Sequence, residues 1–420
     1  MSDILDSLDP LEQRQPRQRE ADLMAKLPQL VARAQGASGW ARILHGVSAA
    51  DIRDRDALAQ LPITRKSDLH DLQALEPPFG GLTTTPHRQL RRLYVSPGPI
   101  FDPEGYSQDW WRFARPMRAL GLRAGHLIQN CFAYHFTPAA FMVEGAASKL
   151  GCAVIPAGIG QTELQVQAMS ALRPDAYVGT PSFLKIIIEK AREMGADIGS
   201  LQRALLSAEA LPPSLRQWFH DNGVPHVLQL YASADIGNIA YESVSDGRLN
   251  PGMILDEDLI LEIVRPGTGD PVAAGEVGEV VLTSFNPDYP LIRFATGDLS
   301  AVLDGVSPCG RTNTRIKGWM GRADQVTKVR GMFVHPSQLA EVLKRHPQIL
   351  KARLVVSGAM ANDVMTLHCE LPAPAAAADT AAQIADSLRE VTKLRGEILF
   401  VAPGSLPNDG KVIEDARKYE

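Results

Sequence analysis

The chain reads as an α/β protein on three observations. From about Trp110, apolar strand-like runs alternate with helix-length amphipathic stretches, which is the pattern of a mostly parallel sheet. After Tyr231 the rhythm changes to short β-rich segments broken by Gly- and Pro-rich turns. From Gln325 a compact module of strands and two helices follows. At 420 residues the chain is longer than the ~250–300 residues at which a single core stops growing, so two domains of unequal size are expected.

The elements follow in order. Helical patterning at 21–27 and 30–34 predicts helices laid over a larger core. The alternating part predicts a helix over 110–120, a strand over 126–131 and a helix over 138–150 stopped by Gly151. A strand over 152–156, a helix over 162–172, a strand over 176–179 and a helix over 182–193 continue it. Strands at 258–264 and 278–283, separated by the Gly/Pro-rich stretch 265–271, read as a hairpin or small barrel. The last module predicts helices over 337–344 and 380–394 and strands over 352–356, 364–369 and 398–401. The Pro/Ala-rich stretch 371–379 is a surface connection within it.

Composition excludes several classes. Apolar (45%) and charged (22%) fractions are those of an ordinary globular protein. A net charge of -5 gives no basic footprint for nucleic acid. Met1 to Asp6 has neither a basic nor an apolar region of the kind a signal peptide needs, and no apolar run approaches the ~20 residues of a membrane helix. Cys131, Cys152, Cys309 and Cys369 form no C-x-x-C pair, as expected of reduced thiols in a cytoplasmic protein.

Several constellations carry chemistry. Arg293-Phe294-Ala295-Thr296-Gly297-Asp298 ends a strand-like run in a tight turn, where Asp298 can chelate two vicinal ribose hydroxyls. Gly321-Arg322-Ala323-Asp324 precedes a further strand, and Arg322 can hold ribose or phosphate. Lys328-Val329-Arg330-Gly331 follows, and Gly410-Lys411 offers a late lysine that can swing onto a reacting phosphate. Ser207-Ala208-Glu209-Ala210 follows an apolar strand, and its small residues let a flat base approach the backbone. Leu228-Gln229-Leu230-Tyr231-Ala232-Ser233-Ala234-Asp235-Ile236-Gly237 supplies an aromatic ring and a hard carboxylate ligand. The aromatic stretch Tyr134-His135-Phe136 after a strand suits a flat apolar slot.

In order and spacing these elements resemble the adenylate-forming ligase superfamily, over roughly Leu61 to the end. Lys149 to Pro156 followed by Gly160-Gln161-Thr162-Glu163 resembles, more narrowly, the phenylacetate-CoA ligase family. The resemblance implies a large domain (1–323) of α/β subdomains plus a β-barrel, a small mobile α/β lid (324–420), and a hinge at Asp324. It implies ATP, Mg²⁺ and coenzyme A acting on an aryl carboxylic acid, in a cytoplasmic homodimer. Ser96, Ser207, Ala208, Glu209, Tyr231, Ala232, Asp298 and Arg322 would hold the nucleotide, with Tyr231 stacked on adenine and Asp235 bound to Mg²⁺. Tyr134, His135, Phe136 and Gly237 would line the acyl pocket. Lys411 would be the catalytic lysine, and Lys328, Arg330 and Gly331 the CoA-side face of the lid.

The chain departs from this pattern in places. Ala232 stands for a glycine, Ala234 for a phosphate-binding hydroxyl, and Asp235 for a glutamate. Tyr94-Val95-Ser96-Pro97-Gly98-Pro99-Ile100 stands where the family has a Ser/Thr/Gly-rich phosphate cradle. Two prolines remove N–H donors, so a stiff turn replaces a flexible loop and Arg91 or Arg92 becomes a candidate for the phosphates. Some relatives have a Cys/His metal cluster near Cys309, but one thiol here implies no structural zinc. Two alternatives stand beside a CoA ligase: an adenylating enzyme that does not use CoA, and a non-catalytic adenylate-binding module.

Overall fold

The computed structural model describes residues 9–96, 98–265, 269–323, 327–358, 362–371, 378–406 and 412–417. The chain divides into two compact units, Met1–Gly321 and Arg322–Glu420.

The first unit is built on a nine-stranded mixed sheet. Its spatial order is Val302–Leu303, Arg315–Ile316, Met253–Leu255, Gly237–Tyr241, His226–Ser233, Arg203–Leu206, Ala176–Gly179, Leu127–Asn130, Ala153–Ile155. The five strands from His226–Ser233 to Ala153–Ile155 are parallel, and the turn to antiparallel pairing comes at His226–Ser233 against Gly237–Tyr241. In parallel-sheet proteins ligands gather at the carboxyl ends of the strands, and Tyr231 to Asp235 lie there.

The crossover helices follow from sequence. In Pro181–Met194, Leu184, Ile187, Ile188 and Ala191 are buried, the i, i+3, i+4, i+7 spacing of one apolar face. Each such buried aliphatic side chain contributes roughly 1.5–3 kcal/mol. Thr180 caps the start by accepting from the Phe183 N–H, Pro181 fits the first turn, and Gly195 at φ 60° ends the helix. The elements Thr162–Leu172 and Ala176–Gly179 have the bounds the sequence predicts. The expected helix over 110–120 is limited to Ala114–Ala119, because Arg112 takes φ 64° and breaks the helical path before it.

A second, four-stranded sheet runs Thr64–Arg65, Leu291–Ser300, Gly278–Ser284, Leu259–Val264. It occupies the expected barrel region, but among the described residues its two edge strands do not pair with each other. At its centre Arg293 adopts φ 46° and is 3% exposed. Its guanidinium donates to the carbonyls of Ala59, Leu61 and Gly269 and forms an ion pair with Glu262 at 2.9 Å.

The two expected N-terminal patches form one helix, Pro16–Ala34, with Pro28 inside it. It is held to distant segments by buried charge. Arg19 and Arg14 pair with Glu257 at 2.7 and 2.5 Å. Just ahead of the helix, the Glu12 carboxylate accepts from Arg311 at 3.2 Å and from the Tyr241 hydroxyl.

The second unit carries a four-stranded sheet in the order Glu397–Val401, Val364–Glu370, Lys351–Ser357, Ile413–Asp415, with helices Pro336–Arg345 and Ala378–Thr392. Ile384, Leu388, Leu354, Leu367 and Val342 fill its core. No helix of the described residues is long and apolar enough to cross a membrane.

Removing Arg293 leaves Glu262 buried without its partner. Arg293→Ala should therefore lose about 3–5 kcal/mol of stability, measured by urea unfolding; a loss below about 1 kcal/mol would show that the four-stranded sheet does not depend on this ion pair.

Candidate active site

The site is assembled at the carboxyl ends of the central strands. His226–Ser233 delivers Tyr231, and the long strand Leu291–Ser300 delivers Asp298. The Tyr231 hydroxyl donates to Asp298 Oδ2 at 2.8 Å, and Trp319 Nε1 donates to Asp298 Oδ1 at 3.1 Å. Thr296 Oγ1 accepts the Asp298 N–H at 3.1 Å and fixes the turn. Two neutral donors thus aim the carboxylate oxygens, a geometry that suits a ligand offering hydroxyls.

Beside it, Ser207 Oγ donates to the Leu230 carbonyl at 2.8 Å, and Ala208 sits at φ 69°. That backbone conformation is rare for a residue with a Cβ. The Glu209 carboxylate accepts from the Ser182 N–H at 3.1 Å and from the Ser182 hydroxyl at 2.9 Å. It therefore anchors the segment to the N-terminus of the helix Pro181–Met194.

Asp235 is 4% exposed, and its Oδ2 accepts from Lys66 Nζ at 2.5 Å. Burial alone would lower the pKa of the Lys66 ammonium. The Asp235 carboxylate, with Asp102 and Asp298 behind it, outweighs that and raises it. Asp102 lies on the strand Ile100–Glu104 and is fully buried. Burial and the neighbouring Asp235 push its carboxyl up to about 8, against the pull of Lys66. Gly237 takes φ 83°, and a Cβ there would meet the Trp111 carbonyl at 2.7 Å, so this turn after Asp235 admits glycine alone.

The strands flanking Ser96 form an antiparallel hairpin. Arg92–Ser96 pairs antiparallel with Ile100–Glu104, with Ser96 opposite Ile100. Ser96 Oγ donates to the Ile100 carbonyl at 3.2 Å. Arg91 and Arg92 are both drawn to Glu104, at 3.5 and 2.9 Å, and Glu104 also accepts from the Tyr94 hydroxyl at 2.5 Å.

An aromatic group stands behind this hairpin. Phe141 lies 5.5 Å from Tyr94 and 5.4 Å from Tyr134, and Tyr94 lies 5.6 Å from Trp111, centroid to centroid. The Arg92 guanidinium sits 4.5 Å over the Phe141 ring. The Tyr134 hydroxyl accepts from Asn130 at 2.9 Å and donates to Glu144 at 2.6 Å. His135 is exposed and Phe136 is 74% exposed. Those two side chains face outward, and the Phe136 carbonyl binds the Val95 N–H at 2.8 Å.

In the second unit Lys328 lies on Thr327–Val329, paired with Met332–Val334. Arg330, at φ 47°, donates its N–H to Asp363 at 2.8 Å, and Gly331 follows at φ 83°. Arg322 opens this unit. Asp324 and Lys411 lie outside the described residues.

Cys309 is buried between Ser307 (3.1 Å) and Arg311 (3.4 Å). Burial raises its pKa, but Arg311 outweighs that and the thiol lies below its ordinary range. Among the described residues no group of three or more His, Cys, Asp and Glu gathers in a metal-holding arrangement.

Sequence reasoning missed Lys66, Asp102, Tyr289 and Trp319. Lys66 follows a two-residue strand, Thr64–Arg65, too short to register as a period. Asp102 sits next to Pro103, which hides the strand. Trp319 gives no signal beyond its proximity in sequence to Gly321-Arg322.

The AMP-binding enzyme family model matches residues 112–286, the stretch that holds the parallel sheet and Tyr231 to Asp235. The fold and this match define an adenylate-forming enzyme. The chain is 32% identical over 311 residues to the phenylacetate-coenzyme A ligase of Escherichia coli, covering 70% of this chain and 68% of that protein. It is 30% identical over 317 residues to the enzyme of the same name from Thermus thermophilus, covering 73% and 70%. A solved 2-hydroxyisobutyryl-CoA ligase, in complex with 2-HIB-AMP and CoA, shares the fold with a TM-score of 0.83 at 24% identity, over 97% of this chain and 92% of that one. The chain belongs to the phenylacetate-CoA ligase family. It is an AMP-forming acid–CoA ligase, which activates its acid with ATP through an acyl-adenylate and uses CoA.

Asp298→Ala should weaken ATP and AMP alike by a few kcal/mol through loss of charge-assisted hydrogen bonds, read by calorimetry on folded protein. Unchanged nucleotide affinity would remove Asp298 from the site. Trp319 serves as its reporter: AMP should change tryptophan emission, and Trp319→Phe should abolish most of that change.

Proposed function

We propose that the acid activated is an aryl carboxylic acid of the phenylacetate type. The observation that carries this reading is the aromatic group of Tyr94, Tyr134 and Phe141, which stands beside the strand ends and next to the phosphate hairpin. Flat apolar walls favour a flat apolar ligand. The Asn130–Tyr134–Glu144 hydrogen-bond chain gives that wall one polar end, suited to a ring carrying a hydroxyl or an indole N–H. The names of the relatives at 30 and 32% identity support the same class.

In this reading Asp298 binds the ribose hydroxyls, and Tyr231 both orients Asp298 and offers its ring to adenine. The acid's carboxylate attacks the α-phosphorus, giving the acyl-adenylate and pyrophosphate. Lys411 bridges the two reactants by charge. The lid then turns about Asp324, brings the face of Lys328, Arg330 and Gly331 to the cleft, and the CoA thiol attacks the mixed anhydride. Asp235, with one buried oxygen lacking a partner, fits a hard cation and would hold Mg²⁺, which when bound offsets triphosphate charge. The enzyme works as a cytoplasmic homodimer, a reading that rests on the family resemblance.

The test is a panel of aryl and aliphatic acids, scored by pyrophosphate release and then by CoA consumption. Aryl acids should lead the panel, and a preference for short aliphatic acids would overturn the assignment. Exchange of pyrophosphate without CoA consumption would overturn the second half-reaction. Lys411→Ala should lose roughly 3–4 kcal/mol of transition-state stabilisation in adenylation, while supplied acyl-adenylate is still converted to thioester. Equal loss in both half-reactions would remove Lys411 from its bridging role.

A further inference from the structure

In the second unit the turn Arg330-Gly331 is held from outside itself. It closes a two-stranded ribbon in which Val329 lies opposite Met332, and both turn residues have positive φ, 47° and 83°. Two-residue turns of this hand match the twist of the strands, and they favour Asn-Gly or Gly-Gly. An arginine in the first place bears the steric cost of a Cβ in the left-handed region, and such a conformation persists where its surroundings enforce it. Here the enforcing group is Asp363, just ahead of the strand Val364–Glu370. Its Oδ2 accepts the Arg330 N–H at 2.8 Å, and its main-chain carbonyl accepts from Arg330 Nε at 3.1 Å and Nη2 at 2.8 Å. One residue thus fixes both the backbone and the guanidinium of Arg330.

Asp363 Oδ1 is engaged as well. It pairs with Arg417 Nη1 at 3.1 Å, and each of the two side chains is 14% exposed. The same nitrogen donates to the Lys328 carbonyl at 3.0 Å, and Arg417 Nε donates to Asp415 Oδ1 at 2.8 Å. Arg417 ends the segment 412–417, whose strand Ile413–Asp415 pairs with Lys351–Ser357. The aspartate therefore ties Lys328 and Arg330 to the stretch of chain that continues from Lys411. Arg330 itself is exposed, and its guanidinium is held by a carbonyl rather than by a carboxylate, which suits a cation offered to an anionic ligand. We propose that Asp363 is a positioning residue for the second half-reaction, holding the Arg330-Gly331 turn in the shape that presents Arg330 to a phosphate group of CoA. The proposal rests on the reading of Lys328, Arg330 and Gly331 as the CoA-side face; its new element is the aspartate, 33 positions beyond Arg330, which acts through the turn and touches no reactant.

The experiment separates the two half-reactions in the full-length protein. Acid-dependent ATP–pyrophosphate exchange reads adenylation, and conversion of the purified adenylate of the acid that leads the panel, at varied CoA, reads thioester formation. Asp363→Ala should raise the KM for CoA about tenfold or more, on the scale of losing hydrogen bonds to a charged group, while pyrophosphate exchange stays within about twofold of wild type. Asp363→Asn, which keeps an acceptor for the Arg330 N–H, should restore part of the loss. Equal slowing of both half-reactions, or a lowered melting temperature with CoA kinetics unchanged, overturns the proposal, because a merely structural residue would give those results. Should Asp363→Ala fail to fold by circular dichroism, Asp363→Asn decides, and a wild-type KM for CoA in it overturns the positioning role. Lys328→Ala is run in parallel. A raised KM for CoA in Lys328→Ala with none in Asp363→Ala overturns the positioning role and leaves the CoA-side face standing, whereas no change in either overturns the face as well.

Discussion

The contact on which the site depends is the ion pair between Lys66 and Asp235, at 2.5 Å. It joins a residue just after an edge strand of the four-stranded sheet to one just after a central strand of the nine-stranded sheet. With Asp235 buried and Lys66 only partly exposed, the pair attracts more strongly than it would at the open surface, and desolvation offsets part of that gain. Asp102 and Tyr289 lie in the same field. The electrostatics of the cleft are therefore set by a residue from the first fifth of the chain.

Asp298 shows a different solution a short way off. Its two oxygens accept from a phenol and an indole, neutral donors that orient the acid. Lys66 is ion-paired with Asp235 and also lies in the field of Asp298. In the function proposed above, Asp298 meets the ribose hydroxyls and Asp235 the polyphosphate side.

Much of the fold could be read from the chain. The apolar period of 184, 187, 188 and 191, with Thr180 before it and Gly195 after it, carried enough information to fix a helix; Tyr231 and Asp298 each stood out by motif, but their hydrogen bond to one another did not. The phosphate role considered for Arg91 and Arg92 did not anticipate Glu104, twelve residues beyond Arg92, to which both turn. Lys66 and Asp102 were illegible for a physical reason. Each gains its meaning from burial beside partners distant in sequence, and periodicity carries no information about such meetings. His135 and Phe136 were placed in a slot by their aromatic character, whereas the left-handed backbone at Phe136 (φ 59°) accompanies an outward-facing side chain.

The N-terminal helix has a consequence for how the chain is made. Arg19 meets Glu257 across 238 positions, and Arg311 meets Glu12 across 299. At about 5–20 residues per second of synthesis, the partners of this segment are made on the order of 10–60 s after it. Until then the helix has only its near neighbours in sequence, such as Trp40, Leu44 and Ile52, to cover Leu23, Leu27 and Val31. Docking of this strap is thus a late event in biogenesis, and in the cell the interval before it is one in which a chaperone that shields amphipathic helices would find its substrate.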